Sequence, residues 1–477
     1  MKKVIPFVLL LLCLALLNAF RLLSYRQPEL SISMLDTQSY IQAARLPFPS
    51  WSFFTSNRVF FLPLIYKAFA NASGADPSAF YQITNLSEPA RAAEPARPRY
   101  QPGFDRVTIS QFILSILSWN LLAITVFSRL KNRYLGVMAV IFILCFAFTP
   151  QLADWDRLAM SESMSFSLLA LFLTVTIELL FYLVSGHHWP AWQVAGLIFL
   201  WFLVAVAWTF TRDLNSYLLA WTGILALVPC LFSHLRWRFR WRTAMVVAFL
   251  SIVIFVFAQV TFQQSHRWLK PLLNNLIANV FPYESRVSFF RERGMPVSDD
   301  LLKLRNSMEY NDIQKDQAFM DWARARGYST YSEYLLHTPL WAISTFVTQF
   351  DGLFNENGQS FFYADQLLRP DWAIPLGDLL HSKSGAIALI DLGLMVMILS
   401  LAAKHPLPPD WAWSWFAVWM VLGGLGLTFL GFHGEVRSVA RHALAGVFPL
   451  RLMVWLLILI LFDRILGWAE KIQGSLF

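Results

Sequence analysis

The chain has 477 residues, of which 57% are hydrophobic and only 14% charged, and its mean hydropathy is +0.49. Soluble domains average about 25% charged residues, so this composition excludes a single water-soluble core. The net charge of +8 does not point to nucleic acid, because Lys and Arg gather in short loops beside apolar segments, where they act as topology signals. Cys13, Cys145 and Cys230 all fall inside apolar runs, which implies neither a disulfide framework nor a cysteine metal site.

Met1 to Ser24 opens with Lys2 and Lys3 and runs on as an apolar stretch. It is too long for a typical signal-peptide core and lacks a small-residue cleavage site, so a retained helix is expected. Nine further runs follow, at 108–128, 135–152, 163–184, 191–210, 216–234, 243–263, 384–403, 412–432 and 443–462. Each is long enough, at 1.5 Å per residue, to cross a ~30 Å hydrocarbon layer, and only helices satisfy their own backbone there. The fold class expected is therefore all-α, a polytopic membrane protein of about ten transmembrane helices. Residues 1–263 form an N-terminal module of about seven helices that includes a long loop, 25–107. Residues 264–383 form a second extracytoplasmic segment, and 384–477 a C-terminal module of about three helices.

The positive-inside rule tests that count. With the N-terminus cytoplasmic, the inside loops carry Lys2/Lys3, Arg129/Lys131/Arg133, Arg236/Arg238/Arg240/Arg242, Lys404 and the Lys471 tail. Only Ser185 to Pro190 lacks a Lys or Arg and carries His187 and His188 instead. Both termini are then cytoplasmic, in the inner membrane of a cell. In the two outer segments, Glu88 to Pro102 reads as an irregular loop, while Asp299–Gly327 and Tyr331–Phe350 show helical periodicity. Pro339 makes the latter a broken or interface-lying helix. There is no internal repeat. Trp119, Trp155, Trp189, Trp192, Trp411 and Trp413 fall near span ends, as an interfacial belt would. The sequons at Asn71 and Asn85 matter only in a eukaryotic luminal protein.

Charges crowd the outer ends of the spans: Asp154, Asp156, Arg157 and Glu162; Arg212 and Asp213; Glu435, Arg437 and Arg441. A charge near hydrocarbon is costly unless it is partnered or lines a wet cavity, so such a set is either structural ion pairing or a shared polar site. Asp36 is the sharpest single signal. It opens DTQSYIQAARLPF, whose apolar spacing fits a short helix along the membrane surface, as either a helix N-cap or a carboxylate held next to the bilayer. Arg58 then precedes an apolar run containing Pro63, again the pattern of an interfacial helix.

These residues resemble the GT-C superfamily of polytopic glycosyltransferases, especially bacterial members related to protein O-mannosyltransferases and aminoarabinose transferases. The likeness rests on Asp36-Thr-Gln-Ser-Tyr40-Ile-Gln-Ala43-Ala44, on Arg58 with Phe61-Leu-Pro63-Leu-Ile-Tyr66, on the acidic loop from Pro150 to Ser163, and on Glu435-Val-Arg437-Ser-Val-Ala-Arg441-His442. It covers the N-terminal third well and the C-terminus loosely. The family's usual second acid beside the first is missing, since Thr37 follows Asp36.

The resemblance implies a donor sugar on a polyprenyl phosphate, a glycan, lipid or protein acceptor, and the bilayer itself as partner, with no nucleic acid. It assigns the general base to Asp36 and phosphate or donor binding to Arg58, Arg437, Arg441 and Arg212. Glu162 and Asp156 orient the acceptor or coordinate a divalent metal; no cofactor is otherwise implied. Two rivals stand beside this reading. A secondary transporter would place ionisable groups near the midplane, and Asp391 in the eighth span is such a residue: a packing partner, a proton site or a neighbour of a cavity. An O-antigen ligase or polymerase type of enzyme shares the phosphate chemistry but has no need of the Asp36 segment.

Overall fold

The structure, a computed structural model, describes residues 4–26, 28–29, 31–33, 36–69, 99–100, 103–185, 189–236, 239–305, 313–355, 369–404, 408–437 and 439–475. Both sequons, His187, His188, Arg238, Lys2, Lys3 and most of Glu88–Pro102 lie outside the described residues, as does the side chain of Lys471.

Each expected span has its helix: α1 (Ile5–Ser24), α2 (Asp105–Arg129), α3 (Arg133–Phe148), α4 (Ser161–Val184), α5 (Ala191–Thr209), α6 (Asn215–Leu231), α7 (Trp241–Gln264), α8 (Ala386–Lys404), α9 (Pro408–Gly434) and α10 (Val439–Ser475). Eight are long and apolar enough to cross a membrane on their own. A ninth is the bent pair of α3 and Pro150–Arg157, which meet at 52°. The bend follows from Pro150, which forces Thr149 into an extended conformation (ψ 156°). At 17 residues, α6 spans only about 26 Å. The chain is a multi-pass helical membrane protein.

The spans α4 and α10 are the best buried and α1 the least. Polar contacts nonetheless tie α1 to the bundle: Asn18 Nδ2 donates to Asn120 Oδ1 at 2.8 Å, and Arg21 is fully enclosed. Along α9 and α10 the backbones approach closely, because a Cβ on Gly446 would sit 2.3 Å from the Gly424 carbonyl. Small residues permit such contacts between membrane helices. That crossing sets where Glu435, just past α9, and Arg441, in the first turn of α10, come to lie.

The two ends of the bundle differ in their charges. At one end, Asp463 accepts from the backbone N–H groups of Lys131 (3.1 Å) and Asn132 (2.7 Å). There, too, Arg129 pairs with Glu178 and Arg464 with Asp410, and Arg240 Nη1 donates to the Tyr182 hydroxyl at 3.0 Å. All these groups border loops that the positive-inside rule puts on one side. The opposite end carries the two long segments. Trp268, Leu276, Val287, Phe290, Phe319 and Trp322 give the second segment a hydrophobic cluster of its own. In the belt of tryptophans the expectation fails in part. Trp119, Trp155 and Trp413 are buried within the bundle, and Trp119 packs against Phe146 and Phe448; hydropathy cannot tell a span's inward face from its end.

Candidate functional site

A short β-pairing brings the first segment to the foot of α4. Ile32 and Ser33 pair antiparallel with Tyr100 and Arg99, and the Ile32 carbonyl accepts from the Ala159 N–H at 2.9 Å. The helix Thr37–Arg45 is then fixed by Thr37 Oγ1 donating to the Ala159 carbonyl (2.9 Å) and by Tyr40 with Ser161 Oγ (3.1 Å). Asp36 holds the N-cap position of this helix, yet its side chain makes no capping hydrogen bond. Its carboxylate turns to two arginines. Arg58 Nη2 donates to Oδ1 at 2.6 Å and Arg441 Nη1 to Oδ2 at 3.1 Å.

Arg58 is held from three sides. Its Nε donates to Ser39 Oγ at 2.6 Å, its guanidinium lies 4.6 Å from the centre of the Tyr40 ring, and its carbonyl accepts from Ser56 Oγ at 2.7 Å. The helix Phe61–Phe69 follows. Pro63 falls in its first turn, where a missing N–H costs nothing. The Phe61 N–H donates to the Phe210 carbonyl at 3.1 Å, which brings the α5–α6 turn, with Arg212 and Asp213, to the same place.

Glu162 lies in the first turn of α4, fully buried, where the helix dipole favours a negative charge. Arg441 Nε donates to Glu162 Oε1 at 2.8 Å, so one guanidinium bridges Glu162 and Asp36. Arg212 Nη2 donates to the Arg441 carbonyl at 3.4 Å, while its buried Nη1 has no hydrogen-bond acceptor. Asp213 takes Arg267 Nη2 at 2.9 Å and Nε at 3.0 Å, and Arg267 Nη1 donates to the Ser56 carbonyl at 3.0 Å. Glu435 accepts from Asn274 Nδ2 (3.0 Å) and from the Arg437 N–H (2.9 Å).

These groups surround a cavity of about 370 Å³. Asp36, Glu162, Asp213 and Glu435 face it with Arg58, Arg212, Arg267 and Arg441, and the second segment contributes Trp268, Asn275, Tyr328 and Tyr331. Burial pushes the Asp36 carboxyl up, but the Arg58 and Arg441 guanidiniums outweigh it and hold the group below the ordinary carboxylate range. At Glu435 burial prevails over the Arg437 N–H and Asn274, and its carboxyl is raised.

Of the residues singled out in the sequence, Asp36, Glu162, Arg58, Arg212 and Arg441 line this one cavity; Asp156 and Arg437 are not among its lining residues. Asp156 is packed into a separate cluster, taking Arg21 Nη2 at 2.6 Å and Ser163 Oγ at 2.7 Å. The Arg437 backbone N–H donates to Glu435 Oε1, and the charge of Arg437 also acts on that carboxylate. Sequence reasoning missed Arg267 and Asn275 and gave no role to His442, all of which line the cavity; for Arg267 the available signal was its place as the first charge after α7. Metal coordination by Glu162 and Asp156 does not fit this arrangement, since the two carboxylates face different surroundings. The Arg441 guanidinium also stands between Glu162 and Asp36. Among the described residues no group of three or more His, Cys, Asp or Glu is placed to hold a metal ion.

No protein-family model matches the chain, and no curated protein matches it. Among solved structures, the chain is similar to the archaeal oligosaccharyltransferase AglB from Archaeoglobus fulgidus, solved in complex with an inhibitory peptide and a dolichol-phosphate. The TM-score is 0.44 at 11% identity, covering 99% of this chain and 52% of that one. The chain thus spans about half the length of AglB.

Proposed function

We propose that this protein is a membrane glycosyltransferase of GT-C type, which moves a sugar from a polyprenyl-phosphate donor to an acceptor on the extracytoplasmic face with inversion. One observation carries the reading: in a single cavity, Asp36 and Glu162 share the Arg441 guanidinium, while Arg212 keeps a buried N–H without an acceptor. A carboxylate and a phosphate-seeking guanidinium are what the reaction needs together.

In the proposed step the acceptor oxygen or nitrogen attacks the anomeric carbon from the face opposite the phosphate. The bond from that carbon to the phosphate oxygen breaks, its electron pair leaves with the phosphate, and the acceptor's proton passes to Asp36. Each carboxylate oxygen can accept more than one hydrogen bond, so Asp36 retains a place for the acceptor group while two guanidiniums hold it. Those guanidiniums keep it ionised and aimed, at the cost of basicity, so proton transfer comes late, once the leaving phosphate carries the charge. Arg212 supplies a fork-shaped donor for that phosphate. Glu162 keeps Arg441 in place and orients the acceptor.

General-base catalysis contributes about 10²–10⁴-fold, so Asp36→Asn is expected to lose that much transfer, measured with purified protein and a polyprenyl-phosphate sugar, while remaining folded and membrane-inserted. Near-normal turnover in the folded variant would end the assignment.

Asp391 favours the transporter reading. It is fully buried in α8, and neither of its carboxylate oxygens has a hydrogen-bond partner, so it is not a hydrogen-bonded packing residue. It stands apart from the cavity's lining. Solute uptake into proteoliposomes free of lipid-linked sugar, abolished in Asp391→Asn and intact in Asp36→Asn, would establish that reading over the enzyme.

A further inference from the structure

From Tyr334 to Phe350 the chain has no Asp, Glu, Lys or Arg. Pro339 divides this stretch into the end of one helix, Tyr328–His337, and a second, Pro339–Gln349. The first helix turns Tyr328, Tyr331, Ser332 and Leu335 to the cavity. On the other side of the pair, Leu336 (79%), Leu340 (83%), Ile343 (54%) and Val347 (64%) are exposed. Leu340, Ile343 and Val347 share one face by their helical spacing, and Leu336 extends it across the proline.

The contacts of the second helix set its level against the spans. Phe346 packs on Phe429 and Phe432 of α9, with ring centres 5.2 and 5.7 Å apart. His433 Nε2 donates to the Ala342 carbonyl at 3.1 Å, and Asp351 Oδ1 accepts from the Gly385 N–H at 2.8 Å, just before α8. Phe429 lies five residues before the end of α9, about 7.5 Å along the axis. At the start of α8, Leu389 (71%) and Ile390 (51%) are themselves exposed. The outward stripe is therefore held at the level of the outer ends of two spanning helices, one of which presents its own exposed apolar residues there. In water such a patch invites aggregation; at a membrane boundary it is how a surface helix binds.

We propose that Leu336, Leu340, Ile343 and Val347 are seated among the acyl chains of one leaflet, so that the helix pair is a wall one helix thick between lipid and the polar cavity. Resting on the reading of the site given above, this makes the pair the barrier that the donor's lipid tail passes on its way from that leaflet to the cavity.

The test uses the full chain with Cys13, Cys145 and Cys230 replaced by Ala, reconstituted in vesicles of phosphatidylethanolamine and phosphatidylglycerol. Single cysteines placed by Leu340→Cys or Val347→Cys carry an environment-sensitive fluorophore, with Lys303→Cys as the aqueous control. Doxyl-labelled phospholipid should quench the labels at 340 and 347 strongly and the control not at all. Water-like, unquenched emission at 340 and 347 would overturn the proposal. So would a label shielded from doxyl lipid that becomes solvated on dilution in detergent, which would assign the stripe to a second copy of the chain. In a kinetic arm, Leu340→Glu should reduce transfer from a long-chain polyprenyl donor about tenfold or more and leave a short-chain, water-soluble analogue unaffected. Equal losses with both donors would refute access through the wall. Absence of transfer by the unmodified protein with either donor would refute the enzymatic reading while the quenching result stood.

Discussion

Two ion pairs at the same end of the bundle share chemistry and length: Arg21 with Asp156 and Arg58 with Asp36, both at 2.6 Å. Their surroundings differ. The Arg21 and Asp156 side chains are 0% and 4% exposed, those of Arg58 and Asp36 27% and 31%. Arg21 is sandwiched by Tyr25 and Phe112, whose ring centres lie 4.1 and 4.7 Å from its guanidinium, so its Nε and Nη1, although without hydrogen-bond acceptors, are covered by aromatic rings and do not line the cavity. Around Asp36 the second arginine, Arg441, opens onto a hollow with Arg212 behind it. An acid beside an arginine at a helix end is thus equally the mark of a staple and of a site. What separates them is whether the remaining faces are filled by protein.

The contrast makes its largest prediction for the staple. Removing one member of a buried pair typically costs about 3–5 kcal/mol, whereas replacing both by apolar residues of similar volume is close to neutral. Asp156→Ala should therefore lower the thermal midpoint in detergent sharply, and Arg21→Met with Asp156→Leu should regain most of it. An Asp156→Ala protein of normal stability that has lost transfer would break the contrast and return Asp156 to the site. A smaller effect is expected at Glu162. Glu162→Gln keeps a hydrogen-bond acceptor for Arg441 but loses its charge, and transfer should fall about 10- to 100-fold, the rate equivalent of about 1.5–3 kcal/mol for a charged hydrogen bond. Gel filtration should still find the variant folded.

The smallest effect sharpens the electrical side of the comparison. The Asp36 carboxyl is held below its ordinary range, so its ion pairs are present above about pH 4 and are lost only as pH falls through the lowered value. The acid limb of the rate profile should accordingly lie at unusually low pH. In Arg58→Gln one of the two lowering charges is gone and burial still pushes upward, so the limb should move to higher pH by about one unit or more. An unmoved limb would show that the group titrating in the rate is not Asp36.

Hydropathy made the spans legible because a bilayer imposes one rule on every crossing segment, and Pro339 marked a break that the backbone respects, whereas the run expected at 135–152 passes through Pro150, where the helix in fact ends at Phe148. Asp36 stood out because it is a carboxylate placed against hydrocarbon by a short amphipathic helix. Its capping alternative looked as good in sequence and gave way only to the geometry of Arg58 and Arg441. Asp156 and Glu162 are six residues apart and indistinguishable by composition; the turn from Asp154 to Arg157 and the start of α4 send them to different neighbours. The second segment was legible as helices but not as part of the cavity, since contacts such as Tyr328 with Tyr217 of α6 and Asn275 with the His433 carbonyl of α9 leave no trace in local periodicity.

Asp36 and Arg441 stand 405 positions apart, and their union has a biosynthetic consequence. Translation must deliver the helices α1 to α9 before the guanidinium that completes the pair emerges, so a ribosome-bound intermediate that already holds most of the bundle has an open, unfinished hollow. Premature stop codons ahead of α10 would yield inserted but inert polypeptides, and co-expression of the missing fragment is the way such truncations would be rescued.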